Sequence, residues 1–227
     1  MAGLFVYDEN FFKEQAGASY KSALIVLRLF AEKIFKPKSV LDVGCGVGTW
    51  LKAWQKFGVK DIAGIDGNEI PDTNLYVPRS KIEIADLDSI HKVGSKKYDL
   101  AMSFETGEHL KDKTIDNFVK FLSLSSDLIL FSAAIPNQGG FNHINEQPLS
   151  YWVKHFAKYK FECFDIMRPL FLQHSDAIED VKWWYIQNIL VFAKNDKAKA
   201  LKSKGFVSTA NPIMFYHSNW GKLNSMH

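Results

Sequence analysis

The stretch VLDVGCGVGTW, residues 40 to 50, decides the fold. An apolar run climbs to Asp42 and Val43, glycine then takes the alternate positions Gly44, Gly46 and Gly48, and helix-forming sequence begins at Thr49. Glycine lets backbone approach a ligand with no Cβ in the way. The helix that follows offers unpaired N–H groups and a partial positive charge at its start. In open α/β sheets ligands sit beyond the carboxyl ends of the strands, where successive connections diverge. The loop therefore reads as the floor of a nucleotide-like site. A tight strand-to-helix turn that needs glycine only for its geometry is the alternative, and three glycines at alternate positions disfavour it.

Outward from this loop the chain alternates. A helix is expected over residues 21–35, closed by Pro37, and SVLDV (39–43) is the first strand. A helix over 49–58 ends at Gly58, and strands follow at 61–66, 81–85 and 98–104. A helix over 113–124, a strand over 127–135 and a helix over 148–159 come next, then two strands, 160–167 and 184–194, with no clear helix between them. This order predicts a Rossmann-like, doubly wound α/β fold: a mainly parallel seven-stranded sheet with an antiparallel edge and helices on both faces. One domain over residues 1–195 is expected, with 1–36 as a helical cap or lid and 196–227 as a tail packing back on the body. No internal repeat or low-complexity block interrupts it.

Composition narrows the class. Of 227 residues 47% are hydrophobic and 23% charged, and the formal charge of +3 is too weak to argue for nucleic acid, though it suits an anionic substrate. The lysines of residues 194 to 205 read as a solvated surface segment. The two cysteines, Cys45 and Cys163, with Cys45 inside the glycine loop, predict a reduced, cytoplasmic setting without disulfides. No signal peptide is apparent. The longest apolar stretch is broken by Arg28, Glu32 and Lys33, short of the roughly 20 residues a membrane helix needs.

The glycine spacing narrows which nucleotide is bound. It is G-x-G-x-G, with Thr49 where a dinucleotide fingerprint needs its third glycine, and no P-loop lysine follows. Buried Asp42 calls for donors or a cation, which a ligand ammonium, or a water linked to one, satisfies. Asp66, ending the second strand, stands where an acid accepts both ribose hydroxyls, or else caps the segment NEIPDT. Asp86 and Leu87 end the third strand, placed to meet a purine's exocyclic amine and face, or to cap the turn after them.

VLDVGCGVGTW with GID and IADLDS resembles the cofactor site of class I S-adenosylmethionine-dependent methyltransferases over residues 39 to 135. SFETGEHL, LFSAAIPNQGGFNHINEQPLSYWVKHFA and WWYIQNILVF resemble small bacterial methyltransferases encoded in surface-glycan clusters. The resemblance implies S-adenosylmethionine as cofactor and S-adenosylhomocysteine as product. It implies that Asp42, Gly44, Gly46 and Gly48 surround the methionine part, flanked by Cys45, Thr49 and Trp50. Asp66 and Gly67 would hold the ribose, Asp86 and Leu87 the adenine, and Glu105 would lie near the reactive end. Its acceptor would be a small molecule or a sugar, phosphorylated or nucleotide-linked forms included.

Methyl transfer is an in-line displacement from a sulfonium, and the leaving thioether departs neutral. The protein must align the nucleophile, strip it of water and, for a hydroxyl or ammonium, remove a proton. His143, in the polar loop GGFNHINEQ after the fifth strand, is the first candidate base, with a hydrogen-bonded loop histidine as the alternative. His109 in ETGEHL and Glu105 are the other catalytic candidates. Asn142, Asn145, Glu146 and Gln147 are candidate substrate contacts. Gln187 interrupts an apolar run together with Asn188 and needs a hydrogen-bond network; Trp184 and Tyr185 wall a pocket or pack the core. Tyr7, Phe11, Phe12 and Tyr20 read as a lid or as an aromatic helix face. SFET departs from the Asn/Asp-Pro-Pro-Tyr/Phe pattern of methylases of base or amide nitrogens, and no metal-ligand spacing is visible, which predicts metal-independent transfer. Three functions follow: O-methylation of a small molecule or sugar, with N-methylation of a small phosphorylated amine beside it; dinucleotide oxidoreduction, disfavoured by the missing glycine; and a binding module without turnover. The oligomeric state stays open.

Overall fold

The computed structural model describes residues 9–90, 96–174 and 178–216, with side chains from residue 16 onward. Strand β1 (Ser39–Val43) lies at the centre of a seven-stranded sheet of order β3-β2-β1-β4-β5-β7-β6. From β1 the chain runs outward to β2 (Asp61–Asp66) and β3 (Ile82–Ile84), then crosses back to β4 (Leu100–Phe104) and β5 (Leu128–Ser132), all parallel. The direction of winding thus reverses between β1 and β4, which opens a crevice above their carboxyl ends. β7 (Leu190–Ala193) pairs antiparallel with both β5 and the edge strand β6 (Glu162–Phe164). The doubly wound sheet with its antiparallel edge is as the alternation predicted.

Strand alternation sorts the side chains to two faces. Val40, Leu100, Met102, Leu128 and Val191 go to one face, packed by α1 (Glu9–Lys33) and α2 (Thr49–Lys56). Leu41, Ala101, Ile129, Phe131 and Phe192 go to the other, packed by α3 (Ile115–Ser125) and α4 (Leu149–Lys158). Trp54 of α2 is fully buried on the first face and donates its indole N–H to Met102 Sδ at 3.1 Å. Truncating it to alanine would cost about 3–5 kcal/mol. Asp42 shares this face, so a carboxylate is set into an otherwise apolar layer.

Two expected strands are corrected. Residues 184–194 do not form one strand: α6 (Trp183–Asn188) precedes β7. Residues 160–167 shorten to β6, and Met167 opens α5 (Met167–Gln173), whose Pro169 is tolerated in the first turn. Two short helices therefore lie between strands where none was expected. The cause is periodicity: both runs are almost continuously apolar, and such a run does not distinguish a buried strand from a buried helical turn. Tertiary bonds decide. The buried Arg168 guanidinium is held by Asp165 and donates to the Gln187 carbonyl, which ties α5 to α6. The lysine-rich segment forms α7 (Asn195–Ser203); Ala198 and Leu201 enter the first core and the lysines lie outside. Beyond it, Thr209 N–H donates to the Cys163 carbonyl and Phe215 lies under Arg168. Cys45 and Cys163 are free and buried. Of the expected lid residues, Tyr7 lies outside the described residues, and Tyr20 meets Tyr76 with ring centroids 5.6 Å apart.

Candidate active site

The glycine loop turns on three left-handed residues, Gly44 (φ 81°), Gly46 (φ 50°) and Gly48 (φ 81°). They do different work. A Cβ on Gly44 would lie 2.1 Å from Thr106 Oγ1, and one on Gly48 2.8 Å from Val77 Cγ2. These two are required by close packing. A Cβ on Gly46 would meet nothing within 4 Å, so this glycine faces open space, with its N–H held by Asp66 Oδ2 at 2.7 Å. The open space at Gly46 lies at the loop where the alternating glycines led us to expect a ligand.

Asp42, on β1 two residues before the loop, is buried, and among the described residues its Oδ2 has no hydrogen-bond partner. Burial, and then the neighbouring Asp66 charge, push its carboxyl up to about 8. An unpartnered buried carboxylate beside an open glycine is what an ammonium-bearing ligand, or a water bound to one, would complete. Asp66 spends one oxygen on Gly46 N–H and the other on Asn68 N–H at 2.9 Å. The second bond caps the turn that opens NEIPDT, and no helix forms there before Asp72. A carboxylate has about four acceptor positions, so capacity for a diol remains.

Other candidates fall elsewhere. The Cys45 sulfur packs over Gly64, where a Cβ would stand 2.6 Å from it, and burial holds its thiol far above the ordinary range. Thr49 Oγ1 hydrogen-bonds Ser19 at 3.0 Å and joins α2 to α1. Trp50 lies against Phe104 (centroids 4.1 Å apart) and Tyr185 (5.0 Å) in an aromatic wall; burial raises the Tyr185 phenol to about 12. Trp184 is half-buried against the first core, the packing alternative for that residue. Gly67 is exposed next to Asp66. Asp86 is exposed and accepts from Asp88 N–H and Ser89 Oγ, both at 3.0 Å, capping the local turn, while Leu87 is buried in the second core.

Past β4 the polar groups converge. Glu105 takes a left-handed conformation (φ 48°), a strained choice for a non-glycine residue. Its carboxylate accepts from Gln138 Nε2 at 3.0 Å and Asn188 Nδ2 at 3.4 Å, and Asn188 also donates to Gln138 Oε1 at 2.9 Å. Gln187 joins this network at Asn188 Oδ1, 3.3 Å away. The amides expected to interrupt a strand instead lie at the end of α6, where they position a carboxylate. Glu108, which sequence reasoning passed over, is fully buried, and among the described residues its carboxyl oxygens make no hydrogen bond of full geometry, with the Glu108 and Ala134 N–H groups and the Glu105 carboxyl close by. Burial raises its pKa strongly and the Glu105 charge raises it further; burial raises Glu105 as well. The charge pattern E-x-x-E-H was visible in the sequence, but its burial was not.

His109 and His143, 34 residues apart in sequence, meet edge to face with ring centroids 4.9 Å apart. His109 Nδ1 bonds the Asn142 carbonyl at 3.2 Å, and His143 Nδ1 bonds Glu146 Oε1 at 2.9 Å. Burial and the neighbouring His143 lower the His109 pKa, which favours a neutral imidazole. The loop carrying His143 is docked by the N–H groups of Ile144 and Asn145 on the Glu108 carbonyl, each at 2.9 Å. Gln147 donates to Asn145 Oδ1 at 2.9 Å. Asn142, Asn145, Glu146 and Gln147 therefore build the loop that presents His143. The Gly44–Thr106 contact joins the two halves, for Thr106 follows Glu105 directly.

A doubly wound sheet with this loop and no dinucleotide glycine defines an adenosyl-cofactor transferase. A methyltransferase-domain profile matches residues 13–161, and the chain belongs to that family of S-adenosylmethionine-dependent enzymes. Among solved structures it is similar to the sugar N-methyltransferase KedS8 from Streptoalloteichus sp. (12% identity, 86% of this chain and 98% of that one, TM-score 0.62). It is also similar to the methyltransferase domain of bacterial CtHen1 (19%, 77% and 98%, 0.50) and to magnesium protoporphyrin IX methyltransferase from Synechocystis with bound S-adenosylmethionine (15%, 84% and 87%, 0.53). A comparison with curated proteins returned no match.

Proposed function

We propose that the protein transfers a methyl group from S-adenosylmethionine to an oxygen of a small-molecule or sugar acceptor, in the cytoplasm and in the making of a surface glycan. The observation that carries the cofactor part is the open space at Gly46 together with the unpartnered Asp42. When bound, the cofactor supplies an electrophilic methyl on a sulfonium. Asp42 anchors its ammonium end, and Asp66 offers its remaining acceptor capacity to the ribose while bracing the loop. The Trp50–Phe104–Tyr185 wall excludes water on one side.

The acceptor oxygen is assigned to the cluster of Glu105, Glu108, His109 and His143. An amine at this site would need little help once deprotonated, whereas a hydroxyl holds its proton tightly, so a cluster that handles protons and charge favours oxygen. A sugar amine, the acceptor class in the name of KedS8, is the second reading. Residues 1–195 are proposed as the working domain, with the helical part of 1–36, described from residue 9, as a cap, and the described part of the tail, 196–216, packing on the body. Calorimetry with S-adenosylhomocysteine tests the cofactor reading: submicromolar to micromolar binding is expected, and no heat sinks it. Labelled-methyl transfer to hydroxyl sugars and to their amino counterparts then separates oxygen from nitrogen.

A further inference from the structure

The histidines and the buried acid meet in a way that the transfer reaction alone does not explain. One donor atom each from Glu108, His109 and His143 lies within 4.8 Å of the other two. Ligands on one transition ion at about 2.0–2.2 Å stand at most roughly 4.4 Å apart, so small side-chain rotations close the gap. Both rings are already oriented. Each engages Nδ1, His109 with the Asn142 carbonyl and His143 with the Glu146 carboxylate, and among the described residues neither Nε2 has a hydrogen-bond partner. A backbone carbonyl or carboxylate behind Nδ1 is the support that metal-bound imidazoles use to fix tautomer and direction. Gly140 makes room for this, since a Cβ there would stand 2.4 Å from His143 Nε2.

The third ligand is the stronger indication. Glu108 is fully buried beside a second carboxyl, Glu105, and among the described residues its carboxyl oxygens make no hydrogen bond of full geometry, the Glu108 and Ala134 N–H groups being only weakly engaged. Two acids side by side in a buried place either share a proton or take up a positive charge. Arginine and lysine do not fill that role: no salt bridge to either acid is found among the described residues. Two imidazoles and a carboxylate, with no thiolate, suit a first-row divalent transition ion and not magnesium, which favours all-oxygen shells.

We propose that Glu108, His109 and His143 form a binding site for a first-row divalent transition-metal ion that holds and activates the acceptor hydroxyl. Glu105, positioned by Gln138 and Asn188, supplies a second negative charge beside it. The inference rests on the oxygen-acceptor reading above and replaces the metal-independent transfer expected from sequence spacing. His143 is then a ligand and not the base. The ion makes the acceptor O–H more acidic, and its proton passes to water. The oxygen forms a bond to the methyl carbon as the C–S bond breaks, and that electron pair stays on sulfur as the neutral thioether. Because an ion with three protein ligands keeps positions for substrate oxygens, a vicinal diol or a hydroxyl beside a second oxygen is the acceptor class it favours.

The test uses the full chain, stripped with chelator, and the metal alone. Dialysis against Mn2+ or Co2+ is expected to load one ion per chain. Pulsed electron paramagnetic resonance of the Mn2+-loaded wild type is expected to show imidazole nitrogen coupling. His109→Ala and His143→Ala should each weaken binding by at least about tenfold while S-adenosylhomocysteine affinity stays within about twofold. No binding of Mn2+, Co2+ or Zn2+ by the wild type overturns the proposal. So does a bound ion without nitrogen coupling, a measurement that stands even where a variant does not fold. Displacement of Mn2+ by an equal concentration of Mg2+ overturns the assignment to a transition ion. Loss of S-adenosylhomocysteine binding with metal binding intact would instead count against the cofactor reading.

Discussion

The two halves of the site are built by opposite means. The proposed cofactor half is mostly backbone: the five-residue loop 44–48 between β1 and α2, braced by Asp66, in which two glycines permit packing and one faces open space. The acceptor half is mostly side chain, drawn from the end of β4, the loop after β5 and the end of α6. The difference teaches where each half is fragile. A backbone cradle fails when a Cβ is added, and a side-chain network fails when a partner is removed.

The largest effect should come from the cradle. Gly44→Ala places a methyl against Thr106 in a left-handed backbone and should cost about 3 kcal/mol or more. Gly46→Ala carries only the backbone strain, so about 1–2 kcal/mol of stability should go while cofactor affinity falls by about tenfold. Denaturation curves and calorimetry on the pair check this. Equal stability losses would erase the distinction between a packing glycine and an open one.

On the acceptor side His143→Ala should reduce turnover by about a hundredfold or more while leaving S-adenosylhomocysteine affinity nearly unchanged, read in a labelled-methyl assay. A comparable loss in both quantities would mean that the halves are not separable. Asn188→Ala leaves Glu105 and Gln138 short of a donor and should destabilise by about 1–3 kcal/mol, measured by urea unfolding.

Asp42 gives a pH signature. Its carboxyl ordinarily titrates at 3.8 and stands at about 8 in the fold, first through burial and then through Asp66. Above the unfolded value the folded state holds the extra proton, so the ligand-free protein should lose stability as pH rises from about 4 to about 8. Asp42→Asn has no such proton and should flatten that slope. An ammonium-bearing cofactor favours the ionised form, so wild-type affinity should tighten toward pH 8 and the variant's should not. The smallest change is expected from Asp86→Ala. Both oxygens of Asp86 are engaged in an exposed local turn, and cofactor affinity should shift by less than about threefold. A tenfold loss would restore Asp86 to the adenine side.

The glycine loop and the acids at its strand ends were legible because their information is local. Glycines two residues apart after an apolar strand force a turn within a few bonds, and Asp66 follows at the end of the next strand, which pairs with the first in parallel register. The same alternation of strands and helices specified the sheet, through burial alone. The acceptor half was legible only as candidates. His143, Glu105 and Gln187 stood out by type. Glu108 did not, and the last two strands were misread where continuous apolar runs carry no period.

By itself the sequence determined a doubly wound sheet and a side-chain-free loop with acids at its strand ends. Those depend on neighbouring residues, whose spacing the covalent chain sets. Only the tertiary structure decided that Glu108 is buried beside Glu105, that the His109 and His143 rings meet, and that Asn188 and Gln138 hold Glu105. Such contacts join residues 30 or more positions apart, and their geometry exists only once the sheet has brought the ends of β4, β5 and α6 together.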